Sequence, residues 1–147
     1  RWKSREGLLA DALGRGRERA EDPFADWAVV PLEQVMDWFV DVAPRALSDP
    51  RQRNLMAQAI RSAPDLPEAR RAYWDTYLKP RRELLALMIE RAREDGRVRT
   101  DIDADLIEDM LGGALIHKLL LEPEPQTETE IRDYLLRALS ALGLQRA

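Results

Sequence analysis

The sequence has no cysteine and one histidine among 147 residues, and these absences exclude several kinds of site. Without thiols the chain forms no disulfide framework and no cysteine-ligated zinc site. His117 is five residues from Glu122 and eight from Asp109, so the Glu-x-x-His motif of a di-iron helical bundle is also missing. We therefore expect neither a metal site nor a cofactor.

Longer functional motifs are absent as well. The chain has no glycine-rich phosphate loop, no nucleophile elbow and no histidine beside an evident nucleophile. No run reaches the roughly 18 consecutive apolar residues of a membrane span, and no apolar stretch is typical of a secretion signal. The sequence therefore predicts a protein of the cytoplasm that is not an enzyme and has no membrane partner.

Charge is distributed unevenly along a chain whose composition is otherwise typical of a folded, helix-rich protein. Hydrophobic residues make up 45% and charged residues 34%. The first 19 residues carry a net charge of +3, and the remainder carries −7. Because an acidic body does not attract phosphate, only the N-terminal edge is suited to face nucleic acid. The alternative interpretation of this edge is a solvated basic helix.

Apolar residues recur at helical spacing throughout the chain, and no segment shows the sustained alternation of a strand. The sequence therefore predicts an all-α protein of about six helices. The first helix is expected to run from Ser4 to about Arg19. Pro31 should occupy the first helical position of the next helix, and Pro44 should kink or end it.

Capping residues and prolines set the other predicted boundaries. Pro80 removes a backbone donor inside a long helical pattern, so a kink near Thr76 is expected. Gly96 should end that helix. Helix starts are predicted at Pro50 after Asp49, at the capping box of Asp65 and Glu68, after Asp103, and at the capping box of Thr127 and Glu130.

The segment from about Ala104 to Glu122 is apolar on two faces, which predicts that it is covered on more than one side. Gly112 and Gly113 in its middle indicate close approach of another backbone or open space. We therefore predict a homodimer whose four-helix interface uses the last two helices, with a single-chain bundle as the alternative. The predicted interface residues are Ile107, Leu111, Ala114, Leu115, Ile131, Leu135, Ala138 and Leu142.

Large adaptable side chains, tryptophan, tyrosine and methionine, are concentrated on four of the predicted helices. At helical spacing they fit either a filled core or an apolar pocket with a few polar anchors. In the pocket interpretation Tyr77, Asp109 and His117 are the polar anchors. The candidate ligand-binding residues are Trp38, Val42, Met56, Ile60, Trp74, Tyr77, Leu78, Met110, Gly113 and His117.

Two stretches resemble the TetR family of transcriptional regulators. RWKSREGLLADAL, at the N-terminus, is similar to the end of the DNA-recognition helix and the start of the next helix in that family. PRRELLALMIERAREDGRVRTDIDADLIEDMLGGALIHKLLLEPEP is similar to the C-terminal ligand-binding and dimerisation domain of a large TetR subgroup. Their order and separation also agree with the family.

The resemblance implies an all-α TetR-like C-terminal domain whose last two helices pair with a second copy. Residues 1–20 would be the end of the helix-turn-helix region with the connecting helix, and residues 21–147 the effector-binding and dimerisation domain. Trp2 and Arg5 match positions at the phosphate backbone of DNA. Operator binding would then depend on helix-turn-helix residues that precede Arg1.

The function that the resemblance implies is that of a transcriptional repressor, which leaves DNA when a small hydrophobic effector binds the larger domain. This chain would keep the effector-sensing and dimerisation part. The alternative is a helical dimerisation module with a filled core and no ligand.

Overall fold

A computed structural model describes residues 26, 29–62 and 64–144, although not the side chains of Thr76 and Tyr77, and every regular element in this part is helical. This confirms the predicted all-α class. Ser4–Arg19, Trp2 and Arg5 lie outside the described residues. The helices are α1 (Leu32–Ser48), α2 (Pro50–Ser62), α3 (Pro67–Tyr73), α4 (Lys79–Glu94), α5 (Ala104–Ile116) and α6 (Glu128–Ala141), with π-helical turns at Trp74–Leu78 and His117–Leu121.

Three of the predicted helix starts are confirmed by side-chain hydrogen bonds. The carboxylate of Asp49 accepts from the Arg51 amide at 2.9 Å, and that of Asp103 accepts from the Leu106 amide at 3.1 Å. Thr127 and Glu130 form the predicted capping box at the start of α6. Each of these caps satisfies amide groups that the first helical turn leaves without a partner.

Two other boundaries differ from the sequence prediction, and Pro44, predicted to kink or end its helix, does not end it. The α3 helix begins at Pro67 rather than at a box of Asp65 and Glu68, and Leu66 makes no side-chain cap. Proline suits the first helical position, since it has no amide hydrogen to satisfy there. Pro31 precedes α1 as its N-cap residue, and Pro44 lies buried inside α1, which continues to Ser48.

The predicted break before Pro80 takes the form of the π-helical turn Trp74–Leu78, which joins α3 to α4. The amide of Lys79 donates to the carbonyl of Trp74, five residues earlier. Pro80 has no amide to donate and its ring disfavours an ordinary α-helical turn before it, so a wider turn relieves the conflict. The α4 helix ends as predicted, with Gly96 at φ +71° and the Arg97 amide donating to the Ala92 carbonyl at 2.8 Å.

The core lies where α6 packs along α1 and α5 packs against α4. Val40 of α1, Ile89 of α4, and Ile131 and Leu135 of α6 are fully buried there. No helix in the described part is both long enough and apolar enough to cross a membrane.

Replacing Thr127 with alanine should lower the free energy of unfolding by about 1 kcal/mol, because α6 loses its cap. The amide and hydroxyl of Thr127 both donate to the Glu130 carboxylate at 2.8 Å, and these bonds lower the pKa of Glu130. The stabilisation is therefore present above the ordinary glutamate pKa and is lost as pH falls through the lowered value. Urea titrations at neutral and acidic pH measure the free energy of unfolding of this variant. Thr129→Ala, an exposed substitution in the same helix, is the control. An equal loss of free energy in both variants would contradict a capping role for Thr127.

Candidate functional site

A line of exposed residues runs along α5 and the π-helical turn that follows it. Its large apolar members are Leu106, Met110 and Leu121, with exposed fractions of 53%, 51% and 69%. Gly113 and His117 are also exposed and complete the line. The spacing of four, three, four and four residues places all five on one side of the helix. We call these residues the α5 stripe.

The glycines of α5 leave open surface rather than a tight internal contact. A β-carbon built on Gly112 or on Gly113 would meet no atom within 4 Å. The chain itself therefore does not require glycine at either position for packing. A flat, side-chain-free segment in the middle of the α5 stripe remains, onto which another backbone could pack closely.

A second side of α5, rotated by about 100° from the stripe, faces the chain's own core, and so does the inner side of α6. Ile107 and Leu111 are 5% and 7% exposed, and Ile131 and Leu135 have no exposed surface. These four side chains, predicted for the dimer interface, have almost no surface left for a second copy. Periodicity showed that α5 has two apolar faces but did not indicate which one the other helices cover.

The remaining predicted interface residues lie at the margin of the core. Ala114 is half-buried, and its carbonyl accepts a hydrogen bond from the Tyr134 hydroxyl of α6 at 3.3 Å. Leu115, Ala138 and Leu142 are half-buried and pack against the core. The hydrogen bond between Tyr134 and Ala114 holds α6 beside α5. Both of the last two helices therefore border the same side of the domain.

The candidate ligand-binding residues fall into two groups that do not enclose one cavity. Met110, Gly113 and His117 belong to the exposed α5 stripe. Ile60 and Trp74 are also exposed, and the Tyr77 side chain lies outside the described part. The half-buried members are Trp38 and Val42 of α1, Met56 of α2 and Leu78 of the π-helical turn.

Two surface depressions occur elsewhere on the domain. One, of about 160 Å³, is lined by residues of α1 and α4, among them Met88 and Arg91, and by neighbouring loop residues that include Arg97. The other, of about 450 Å³, is lined by Arg97, Arg99 and the C-terminal end of α6. Neither contains a predicted ligand-binding residue. Sequence reasoning missed both, because their walls combine residues from separate parts of the chain that share no helical apolar spacing.

A charged cluster connects α4 to α5 beside the α5 stripe. The guanidinium of Arg82 donates to the Asp109 carboxylate at 2.8 Å, the Asp105 carboxylate at 3.2 Å and the Asp105 carbonyl at 3.0 Å. It also lies over the Trp74 ring, 5.5 Å from the ring centroid. The hydrogen bond to Asp109 raises the pKa of Arg82 above its ordinary value. Asp109, predicted as a ligand anchor, is therefore paired with Arg82.

Comparison with protein families identifies the domain. The model of one family, described as tetracyclin repressor-like, C-terminal domain, matches residues 35–138. The chain belongs to this family. The match begins in α1 and ends in α6, so the TetR-like C-terminal domain includes α2 to α5 completely. Searches of curated proteins and of solved structures gave no match.

Membership confirms the resemblance recognised in the sequence and the all-helical fold that it implied. It also places the domain in a class of transcriptional regulators, which are typically not enzymes. The described residues of this TetR-like domain include no group of three or more histidine, aspartate or glutamate side chains that could hold a metal ion.

Proposed function

We propose that this TetR-like domain is the dimerising and effector-sensing part of a transcriptional repressor that leaves DNA when a small hydrophobic effector binds. The family match supports the regulator class. The α5 stripe is the observation that carries the dimerising role, and the half-buried aromatic and methionine side chains of α1 and α2 support the sensing role.

The α5 stripe has the properties of a surface that a second copy covers. Three large apolar side chains lie in one line, each more than half exposed, whereas scattered single exposures are what a monomer normally shows. Gly113 lets the partner's backbone approach in the middle of that line. Since α6 lies beside α5, two copies related by two-fold symmetry would form the predicted four-helix interface. The interface residues proposed are thus those of the stripe, in place of the buried Ile107, Leu111, Ile131 and Leu135.

For the effector, we propose a site between α1, α2 and the π-helical turn at Trp74–Leu78. Trp38, Val42, Met56 and Leu78 are each half-buried, so they retain apolar surface that a ligand could cover. Methionine adapts to irregular shapes, and tryptophan offers a flat apolar face. These side chains suit a small hydrophobic compound better than a charged one.

A thermal-shift screen tests the sensing role. At a concentration one hundred times its dissociation constant, a bound compound should raise the melting temperature by roughly 10 °C. The screen uses planar aromatic and aliphatic compounds and follows tryptophan fluorescence in parallel. Met56→Trp should fill the site and remove the shift, whereas Met110→Trp on the α5 stripe should retain it. A shift unaffected by Met56→Trp would contradict the proposed site.

A ligand-free dimerisation module is the second candidate function. It is favoured by one observation, that neither surface depression contains a predicted ligand-binding residue. If the half-buried residues of α1 and α2 are filled core, no compound of the screen raises the melting temperature. Trp38→Ala would then mainly destabilise the fold, by roughly 3 to 5 kcal/mol.

For DNA binding, we propose that residues 1–20 connect this domain to a helix-turn-helix that reads the operator, with Trp2 and Arg5 at the phosphates. The compartment of action would be the cytoplasm. An effector releases operator DNA only if it binds better to the conformation in which the two reading heads do not fit successive major grooves. In this proposal the helix-turn-helix, and not residues 1–147, reads the operator. Gel-shift titration of the 147-residue chain should then show no preference for one DNA sequence over another.

A further inference from the structure

We infer that Arg82 couples the π-helical turn at Trp74–Leu78 to helix α5, so that a change at one is transmitted to the other. The regulatory meaning of this coupling rests on the proposed function, which places an effector beside the turn and a second copy on α5. The coupling itself is a property of the single chain. It can therefore be tested without an effector or a dimer.

The guanidinium of Arg82 is held on both sides at once. Its edge donates to α5 through the Asp109 carboxylate and through both the carboxylate and the backbone carbonyl of Asp105. Its face covers the ring of Trp74. A guanidinium is planar, with its donors in a rigid fork. If the Trp74 ring tilts, the guanidinium tilts with it and loses its alignment with the two aspartates. If the ring moves away from the guanidinium, the same alignment is lost.

The π-helical turn is where the α3–α4 segment departs from regular helix geometry, and Trp74 is its first residue. Such turns in longer helices are associated with functional sites. On the other side of Arg82, Asp109 directly precedes Met110 of the α5 stripe. Arg82 therefore spans the distance from the irregular turn to the surface proposed for the second copy. Its side chain is only 16% exposed, whereas the Asp105 and Asp109 side chains that accept its hydrogen bonds are 75% and 66% exposed.

A neighbouring arginine provides a matched control. Arg81 of α4 also forms an ion pair with α5, to the Glu108 carboxylate at 3.1 Å. Its guanidinium lies near the Phe39 ring of α1, with 6.0 Å to the centroid. Loss of Arg81 therefore removes an α4–α5 pair without removing the link from Trp74 to Asp109.

The test is a double-mutant cycle read by hydrogen–deuterium exchange with mass spectrometry on the full chain. Trp74→Leu should accelerate amide exchange in residues 104–116 roughly five-fold in the wild-type and Arg81→Gln backgrounds. In the Arg82→Gln background, where the link is already lost, it should cause no further acceleration. Equal acceleration in all three backgrounds, or none in any, would overturn the coupling. If Trp74→Leu does not fold, Trp74→Met, which also removes the aromatic face, takes its place in the same comparison.

The same cycle in a Met110→Glu background separates this inference from the proposed dimer. A coupling that persists there belongs to the single chain, whatever its state of association. A pattern found only in the wild-type chain would show that the effect passes through a second copy, and Arg82 would then not be the connection. A wild-type chain that sediments as a monomer would refute the dimer and leave the exchange result unchanged.

Discussion

Met110→Glu should convert the dimer into a folded monomer. The side chain of Met110 is half exposed in one chain and lies in the middle of the α5 stripe, so glutamate there costs the single chain little. In the proposed dimer, two-fold symmetry would bring two new carboxylates into an apolar interface. At about 2 kcal/mol for each copy, the dissociation constant should rise roughly a thousandfold. Sedimentation velocity over a concentration series measures this change, and circular dichroism checks the fold.

Val29→Glu is the matched control for this variant. Val29 is also an exposed apolar residue, at 68%, but it lies before α1 and outside the α5 stripe. Its replacement adds the same charge to the chain and should leave the dissociation constant unchanged. If both variants dissociate equally, net charge rather than the stripe governs association. If neither dissociates, the stripe is not the interface.

Leu111→Glu, one residue further along the same helix, should instead strongly destabilise the fold. Leu111 is 7% exposed and packs in the core with Ile107 of α5. Glutamate at this position removes apolar contacts and buries a charge for which no partner exists. The expected loss is about 3 to 5 kcal/mol, a large part of the 5 to 15 kcal/mol typical of a domain. Chemical denaturation followed by circular dichroism measures the loss.

Leu111→Met separates the effect of charge from that of shape. Methionine conserves most of the volume and should cost less than about 1.5 kcal/mol. A Leu111→Glu chain that remains folded and becomes monomeric would show that Leu111 faces a partner, as first predicted from the sequence. Residues 110 and 111 are therefore expected to give opposite outcomes, one in association and the other in folding.

Local signals in the sequence predicted the helices well. The caps at Asp49, Asp103 and Thr127 and the stop at Gly96 each depend on hydrogen bonds or a backbone angle within a few residues. The break before Pro80 has the same local origin, because one missing amide forces it. Where prediction failed, at α3, two local signals competed and proline at the first helical position prevailed.

The assignment of faces could not be made from the sequence, because it depends on distant parts of the chain. Both sides of α5 carry leucine or isoleucine at helical spacing, so periodicity does not distinguish core from surface. The difference is that Ile107 and Leu111 pack in the core with residues of α4 and α6, whereas the α5 stripe is exposed. The same is true of the candidate ligand residues of α1 and α2. Their arrangement depends on how three helices pack, which periodicity does not reveal.

A distance measurement across the proposed dimer tests the central claim, that the α5 stripe is the interface, most directly. The chain has no cysteine, so His117→Cys introduces the sole thiol for a spin label, at an exposed position of the stripe. Helices that pack across an interface lie about 8 to 10 Å apart, a separation at which two spin labels broaden each other's continuous-wave electron paramagnetic resonance spectrum. We expect strong dipolar coupling between the two labels, which disappears when Met110→Glu is added. A chain that sediments as a dimer but shows no coupling at position 117, or coupling that survives Met110→Glu, would contradict it.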